Sequence, residues 1–562
     1  MDYRDAWCTQ AHYTVFDACY DDGAAFRVLA DVWRTDPHRS PHLHLIARCT
    51  EGQSGGLLPG FHRMPQAEPG VTLDLLNAPI ETALGQLSAR VDLFRLHGLQ
   101  EAGTGFVRAL ARVAAPQARL LGQGLTAEQV AALEAEGFVF EHCAEADRQK
   151  ARFASRKPRP PAPPIPERRA IVLGAGIAGS AACERLCARG WDVTLVERHP
   201  RPAMGASGNH AGIFMPLVSR DDNIPTRLTR AAYLYALRHW ERLGGIGGAI
   251  EGQACGVLQL ARDPGHAEVQ RAIAASGALP ADFAEWLERP QAEALLGLPA
   301  PDGGWLFRNG GWARPGSVCE AMLAACGGRL EQRFGIGNGR IDYKDGHWVV
   351  HDERGELVAR APTLILANGA GAMQLPHAAP LPLTAMRGQV SHLPAEMLPS
   401  LPMVVCREAY LTPASRGIVS AGATYDTDDN PELSPASHAE NLERLRGLLS
   451  DPQAAQGAPL AGRVGFRCVA PDRLPLVGRL PDFAAAGSTE RLRDVPRHPG
   501  LYSLLGYASR GLIWAGWAAE LLAAQLEGEP LPLETALVDA LDPARFVLRA
   551  RRSSRGPQAA EV

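Results

Sequence analysis

At 562 residues the chain is too long for one hydrophobic core, and two to four domains are expected. Hydrophobic residues make up 46% and charged residues 21%, which excludes a disordered or fibrous chain. A formal net charge of −4 excludes a globally basic nucleic-acid binder and leaves room only for a local basic patch.

The first twenty residues lack the basic start and apolar run of a secretory signal, and no run is long and apolar enough to span a bilayer. The 11 cysteines form no CxxC pair and no zinc-type set. A reducing, cytoplasmic setting without a metal is expected. Tyr13 to Arg34 reads as strand, tight turn and helix, with the turn carrying Cys19, Tyr20, Asp21, Asp22 and one glycine, Gly23. A nucleotide-binding turn would instead be glycine-rich, because glycine lets backbone N–H groups approach a ligand. Residues 42–49 and 91–98 read as strands. Residues 103–115 and 126–138 read as helices, the second opening at Thr126 with Glu128 in its first turn. The order predicts an incomplete α/β domain over 1–154.

Residues 155–169 are proline-rich and basic, the composition of an extended linker. Arg152, Arg156, Lys157, Arg159, Arg168 and Arg169 offer phosphate contacts there, or are simply solvated. Next comes an apolar strand, Ala170 to Leu173, then Gly174-x-Gly176-x-x-Gly179, a helix, and a second strand ending at Glu197, eighteen residues past Gly179. In that context Gly174 makes the turn, Gly176 admits a pyrophosphate to the helix N-terminus, and Gly179 lets helix and strand pack. Glu197 accepts hydrogen bonds from an adenosine ribose. Three further clusters follow: "GASGNHAGIFMP" (205–216), "PTLILANGAGA" (362–372), and Gly506 with Ser509-Arg510-Gly511 ahead of a helix. Residues 551–562 are polar and are expected to fray.

These four clusters resemble the glycine oxidase and D-amino-acid oxidase superfamily of FAD enzymes. The resemblance implies a Rossmann-like FAD-binding domain with an interleaved antiparallel-sheet substrate domain over 170–550. It places FAD against Gly174, Ala175, Gly176, Ile177, Ala178 and Gly179, and against Glu197 and Arg198. The second cluster adds Ala206, Ser207, Gly208 and Asn209, and the third Ala367, Asn368 and Gly369. The fourth adds Gly506, Ser509, Arg510, Gly511 and Leu512.

The stretches "CGVLQLARD", "GGWARPGSVCEAML", "RGQVSHLP", "YLTPASRGIVSAGATYDTDD", "GRVGFRCVAPDRLPLVGRLPD" and "LDPARF" narrow the resemblance. Together they look like the oxidoreductase domain of the bifunctional tRNA 5-methylaminomethyl-2-thiouridine biosynthesis proteins. That implies oxidative removal of the carboxymethyl group from 5-carboxymethylaminomethyl(-2-thio)uridine at a tRNA wobble position. Arg467 matches the superfamily's carboxylate-binding arginine, Arg510 a second such position near the flavin, and Tyr410 is a candidate lining residue. Arg387 either faces the flavin or braces the sheet.

The family's N-terminal half is an S-adenosylmethionine-dependent methyltransferase, and 1–154 departs from it three times. The glycine loop is filled by Cys19 to Asp22. The strand end meant to offer an acid to the ribose carries Arg48 and Cys49, with Glu51 late. His97-Gly98 stands where the family has Asp-Gly. A degenerate methyltransferase-like scaffold without S-adenosylmethionine is therefore expected. The alternatives are a still bifunctional enzyme, a small-molecule amine oxidase, and a non-catalytic RNA-binding flavoprotein.

Overall fold

The computed structural model describes residues 7–8, 10–20, 22–49, 56–65, 70–142, 148–154, 167–487 and 489–554. Asp21, Glu51, and Arg156, Lys157 and Arg159 of the basic stretch lie outside the described residues. The chain divides into two compact units, 1–165 with 523–538 and 166–522 with 539–562.

In the first unit Val15, Phe16, Leu43, Leu45, Ile46, Leu93 and Phe94 are all buried, the pattern of parallel strands covered on both faces. Eight strands stand in the spatial order Gly60–Pro65, Val71–Asn77, His42–Arg48, His12–Asp17, Val91–Leu96, Ala114–Gln123, Arg148–Phe153 and Phe138–Glu141. The inner five run parallel and the edges antiparallel. The region is thus larger than the incomplete domain expected. Its edge strands escaped notice because they lack a clean apolar alternation. The helix Ala127–Ala135 starts where Thr126 predicts, with Thr126 and Gln129 capping each other reciprocally.

The second unit contains two main sheets. The first runs Leu330–Phe334, Asp192–Glu197, Arg169–Leu173, Thr363–Leu366, Arg497–Leu505 and Leu476–Pro481, parallel except for the last pair. Its strand starts at Arg169, the last residue assigned to the linker. The second is an eight-stranded mixed sheet that ends on Tyr410–Leu411, Ile418–Gly422, Thr384–Pro394 and Gly462–Val469, all antiparallel. This is the interleaved substrate sheet expected.

Helix Ile177–Cys187 follows the Arg169–Leu173 strand, and helix Gly511–Glu527 follows the Arg497–Leu505 strand. A buried ionic cluster ties them. Arg185 pairs with Glu184 and Glu520, Arg189 reaches Glu520 at 2.7 Å, and His239 meets Glu184 at 3.0 Å. The last helix, Arg545–Ser554, runs four residues into the stretch expected to fray. Arg545 and Arg549, one turn apart, both pair with Asp472 and carry the helix onward.

Among the described residues no helix is long and apolar enough to cross a membrane. No group of three or more His, Cys, Asp or Glu among them is placed to hold a metal ion. The described cysteines are free thiols.

Candidate active site

The glycine loop is built as its sequence requires. Gly174 has φ +104°, and a Cβ there would lie 2.7 Å from the Asn368 Cα and 2.8 Å from the Ala367 carbonyl oxygen. A Cβ on Gly179 would run into the Gly174 carbonyl oxygen. Both positions need glycine so that strand, helix and third cluster close on one another. Gly176 caps the helix, whose first N–H groups have no partner within it. The Ser207 hydroxyl of the second cluster accepts from the Ile177 N–H at 3.0 Å, which brings that cluster to the same helix end.

Glu197 is 8% exposed. Its carboxylate accepts from the Ala175 N–H at 2.7 Å and from the His199 N–H at 3.0 Å. The acid is thereby aimed, with lone pairs left for ribose hydroxyls. The side-chain oxygen of Asn368 is buried without a hydrogen-bond partner. An orphaned acceptor beside a glycine cradle and a helix N-terminus fits an adenine dinucleotide. Ala367 and Gly369 flank Asn368, and the Ala367 N–H donates to Leu173 O at 2.9 Å.

The fourth cluster meets the first two. A Cβ on Gly511 would contact Ile177 Cγ2 at 3.3 Å, and one on Gly212 would lie 2.8 Å from Leu512 Cδ1. Gly506 (φ +75°) is a turn glycine against Leu476, and Ser509 is exposed. Arg198 is exposed and donates to His199, while Ala206, Gly208 and Asn209 form the Ser207 turn. Arg463 donates to the Met204 and Gly205 carbonyls at 2.6 and 2.8 Å and holds that turn.

Of the three residues expected at the substrate, two interact with each other and the third is linked to them through Cys406. Arg467 lies across Gly388, donates to Thr424 O at 3.0 Å, and interacts electrostatically with Tyr410. Tyr410 pairs across strands with Cys406, and Cys406 feels the charge of Arg510. Arg510 donates weakly to Met215 O at 3.4 Å. Neither Arg467 nor Arg510 has a carboxylate within ion-pair distance among the described residues; both are half-buried, and Arg467 feels the more distant charge of Asp426. Burial lowers both guanidinium pKa values below the usual arginine range. Burial pushes the Tyr410 phenol and the Cys406 thiol each up to about 12, so both stay protonated near neutrality.

Arg387 resolves to bracing. Its guanidinium, 1% exposed, donates to the Asn430 and Glu432 carbonyls at 2.7 Å each and to Ser437 Oγ at 3.1 Å. Cys406 and Arg463 were missed by sequence reasoning. Arg463 precedes Arg467 by four residues on one strand, so the two-residue side-chain period would have placed both on one face. Cys406 carries no such signal.

In the first unit the chain order reverses around His12–Asp17, the switch point where open α/β sheets bind ligands. There Asp17, 3% exposed, is held by His97 at 2.7 Å and Arg95 at 2.8 Å. Arg48 donates to the Ala18 carbonyl at 2.8 Å. A Cβ on Gly23, the cap of helix Ala24–Thr35, would lie 2.8 Å from the Tyr20 hydroxyl.

Known proteins match this chain closely. The model of the FAD dependent oxidoreductase family matches residues 169–525. The tRNA 5-methylaminomethyl-2-thiouridine biosynthesis bifunctional protein MnmC of Azoarcus sp. (strain BH72) is 40% identical over 591 residues, covering 98% of this chain and 92% of that protein. The protein of the same name from Paraburkholderia phytofirmans is 39% identical with the same coverage. Among solved structures, glycine oxidase from Geobacillus kaustophilus aligns with a TM-score of 0.55 at 20% identity, over 67% of this chain and 99% of that one. Iminodiacetate oxidase from Chelativorans sp. BNC1 aligns at 0.52 and 23%, over 65% and 96%. These two establish the fold. The chain belongs to the FAD dependent oxidoreductase family and, over nearly its whole length, to that of the tRNA 5-methylaminomethyl-2-thiouridine biosynthesis bifunctional proteins.

Proposed function

We propose that the second unit oxidises the side chain of 5-carboxymethylaminomethyl(-2-thio)uridine at a tRNA wobble position and leaves the aminomethyl nucleoside. The observation that carries this reading is the pair of half-buried guanidiniums, Arg467 and Arg510, which among the described residues donate only to backbone carbonyls and have no carboxylate in ion-pair contact. A desolvated cation is costly until an anion meets it, and the substrate side chain is an N-substituted glycine whose carboxylate does so. The relatives, proteins of tRNA 5-methylaminomethyl-2-thiouridine biosynthesis, support RNA as its carrier.

When bound, FAD supplies the acceptor for the hydride that leaves the glycine carbon. Arg467 fixes the carboxylate, which aims the adjacent C–H bond. Tyr410 stays a neutral phenol and donates a hydrogen bond in the same pocket. Arg510 adds positive charge at the start of helix Gly511–Glu527, where that helix's dipole already favours negative charge. Neither Tyr410 nor Cys406 ionises near neutrality, so the amine loses its proton to water before it binds. Water then hydrolyses the substrate imine to the primary amine and glyoxylate.

The first unit is a scaffold without methyl transfer. Its switch-point acid is already taken by His97 and Arg95, Arg48 closes the loop, and Tyr20 covers the helix cap. S-adenosylmethionine does not fit these residues. Anaerobic mixing of the flavin-loaded protein with tRNA bearing the carboxymethylaminomethyl nucleoside tests the oxidase reading. Bleaching of the flavin is expected, and bleaching by free glycine-type amines but not by the tRNA would refute it.

A further inference from the structure

Tyr425 is a large aromatic residue left 37% exposed immediately beside the carboxylate-binding arginine. The Arg467 guanidinium carbon lies over its ring, 5.2 Å from the centroid, and that of Arg473 lies 5.6 Å from it. Arg473 is exposed, has φ +58°, and forms no ion pair among the described residues. The loop that carries Tyr425 is fixed from beneath. Arg387 and Asp426 exchange backbone hydrogen bonds of 2.8 and 2.9 Å, and the buried Arg387 guanidinium holds the carbonyls of Asn430 and Glu432. A fixed ring left 37% exposed, with two guanidiniums over it, is more than packing requires. It is well suited to a flat, electron-poor partner next to a phosphate.

We infer that Tyr425 is the stacking platform for the target nucleobase and that Arg473 meets the adjoining phosphate. This rests on the reading of the substrate as an RNA nucleoside. The base takes the ring face that the Arg473 side chain covers, and the displaced guanidinium stays beside the ribose-phosphate. The contact between the Tyr425 ring and the Arg467 guanidinium couples recognition of the base to recognition of the carboxylate, so the oxidised carbon is presented only when both are engaged.

The test compares two anticodon stem-loop RNAs, one with the carboxymethylaminomethyl nucleoside and one with an abasic ribose at that position. Binding to wild type, Tyr425→Ala, Tyr425→Phe and Arg473→Ala is read by fluorescence anisotropy. Tyr425→Ala should weaken the intact stem-loop on the order of 5- to 150-fold, the usual worth of one stacked base, while Tyr425→Phe restores it. The abasic stem-loop should not distinguish Tyr425→Ala from wild type. Arg473→Ala should weaken both RNAs and flatten their salt dependence. Equal weakening of both RNAs by Tyr425→Ala, or no weakening of either, overturns the platform. Flavin bleaching by the intact stem-loop is scored separately. Base-dependent binding without bleaching leaves the platform standing and removes the oxidation reading, and absence of RNA binding removes both.

Discussion

Replacing Arg467 by methionine removes a charge while keeping most of the side chain's apolar bulk. The guanidinium has one neutral partner, the Thr424 carbonyl at 3.0 Å, and lies over the Tyr425 ring. Loss of those contacts costs about 0.5–1.5 kcal/mol for the hydrogen bond and a similar amount for the ring. Relief of a partly desolvated cation with no carboxylate in contact offsets much of that. The melting temperature should therefore stay within about 3 °C of wild type, or rise. Turnover behaves differently, because the substrate carboxylate is left desolvated without its partner. That loss is about 2–5 kcal/mol, or on the order of 30- to 5,000-fold in kcat/KM. Small carboxylates should raise the wild-type melting temperature and leave that of Arg467→Met unmoved. Arg467→Lys, with a compact charge in place of the planar fork, should fall between the two. Steady-state kinetics on modified tRNA and thermal melts decide the matter. Kinetics within twofold of wild type, or a collapse in stability at unchanged specific activity, would refute the carboxylate clamp.

Two other perturbations follow from the same geometry. Gly179→Ala drives a Cβ into the Gly174 carbonyl oxygen, so the purified protein should lose its flavin absorbance; full FAD content would show that the helix start tolerates displacement. Burial pushes the Asp92 carboxyl of the first unit up to about 7, although it accepts from the Thr14 N–H at 2.8 Å. Between its ordinary value of 3.8 and that higher one the folded chain binds a proton that the unfolded chain has released, so stability falls as pH rises through this window. Asp92→Asn should therefore melt roughly 2–8 °C above wild type at pH 8.5, with the gap closing as pH falls toward 4. A gap that does not change with pH would contradict this.

Much of the site was legible because its parts are local. A glycine whose Cβ would strike the next turn, as at Gly179, is demanded by a few neighbouring residues, and Glu197 is reached by reading one strand further. The meeting of Arg467 with Tyr410 was legible only through family resemblance, since they lie on separate strands joined through Thr384–Pro394 and Ile418–Gly422. Cys406 faces Tyr410 across a tight local hairpin, yet no motif in that stretch marks it. The extent of the first unit's sheet was hidden for a related reason. Its edge strands are partly exposed, Phe138–Glu141 a short apolar run and Arg148–Phe153 mostly polar, so hydrophobic alternation does not mark them. Residues 523–538, which complete that unit, lie far away in the chain. Arg387 shows the opposite case: a motif arginine beside the site whose donors hold the loop that carries Tyr425, the helix after it and Gln389 of its own strand.

The most direct measurement incubates the flavin-loaded protein with tRNA bearing the carboxymethylaminomethyl wobble uridine, with and without S-adenosylmethionine, and reads the digested nucleosides by mass spectrometry. The account predicts the aminomethyl nucleoside in both samples, with glyoxylate released in equal amount. Unchanged substrate in both would contradict the oxidase, and a methylaminomethyl product only with S-adenosylmethionine would contradict the closed site around Asp17.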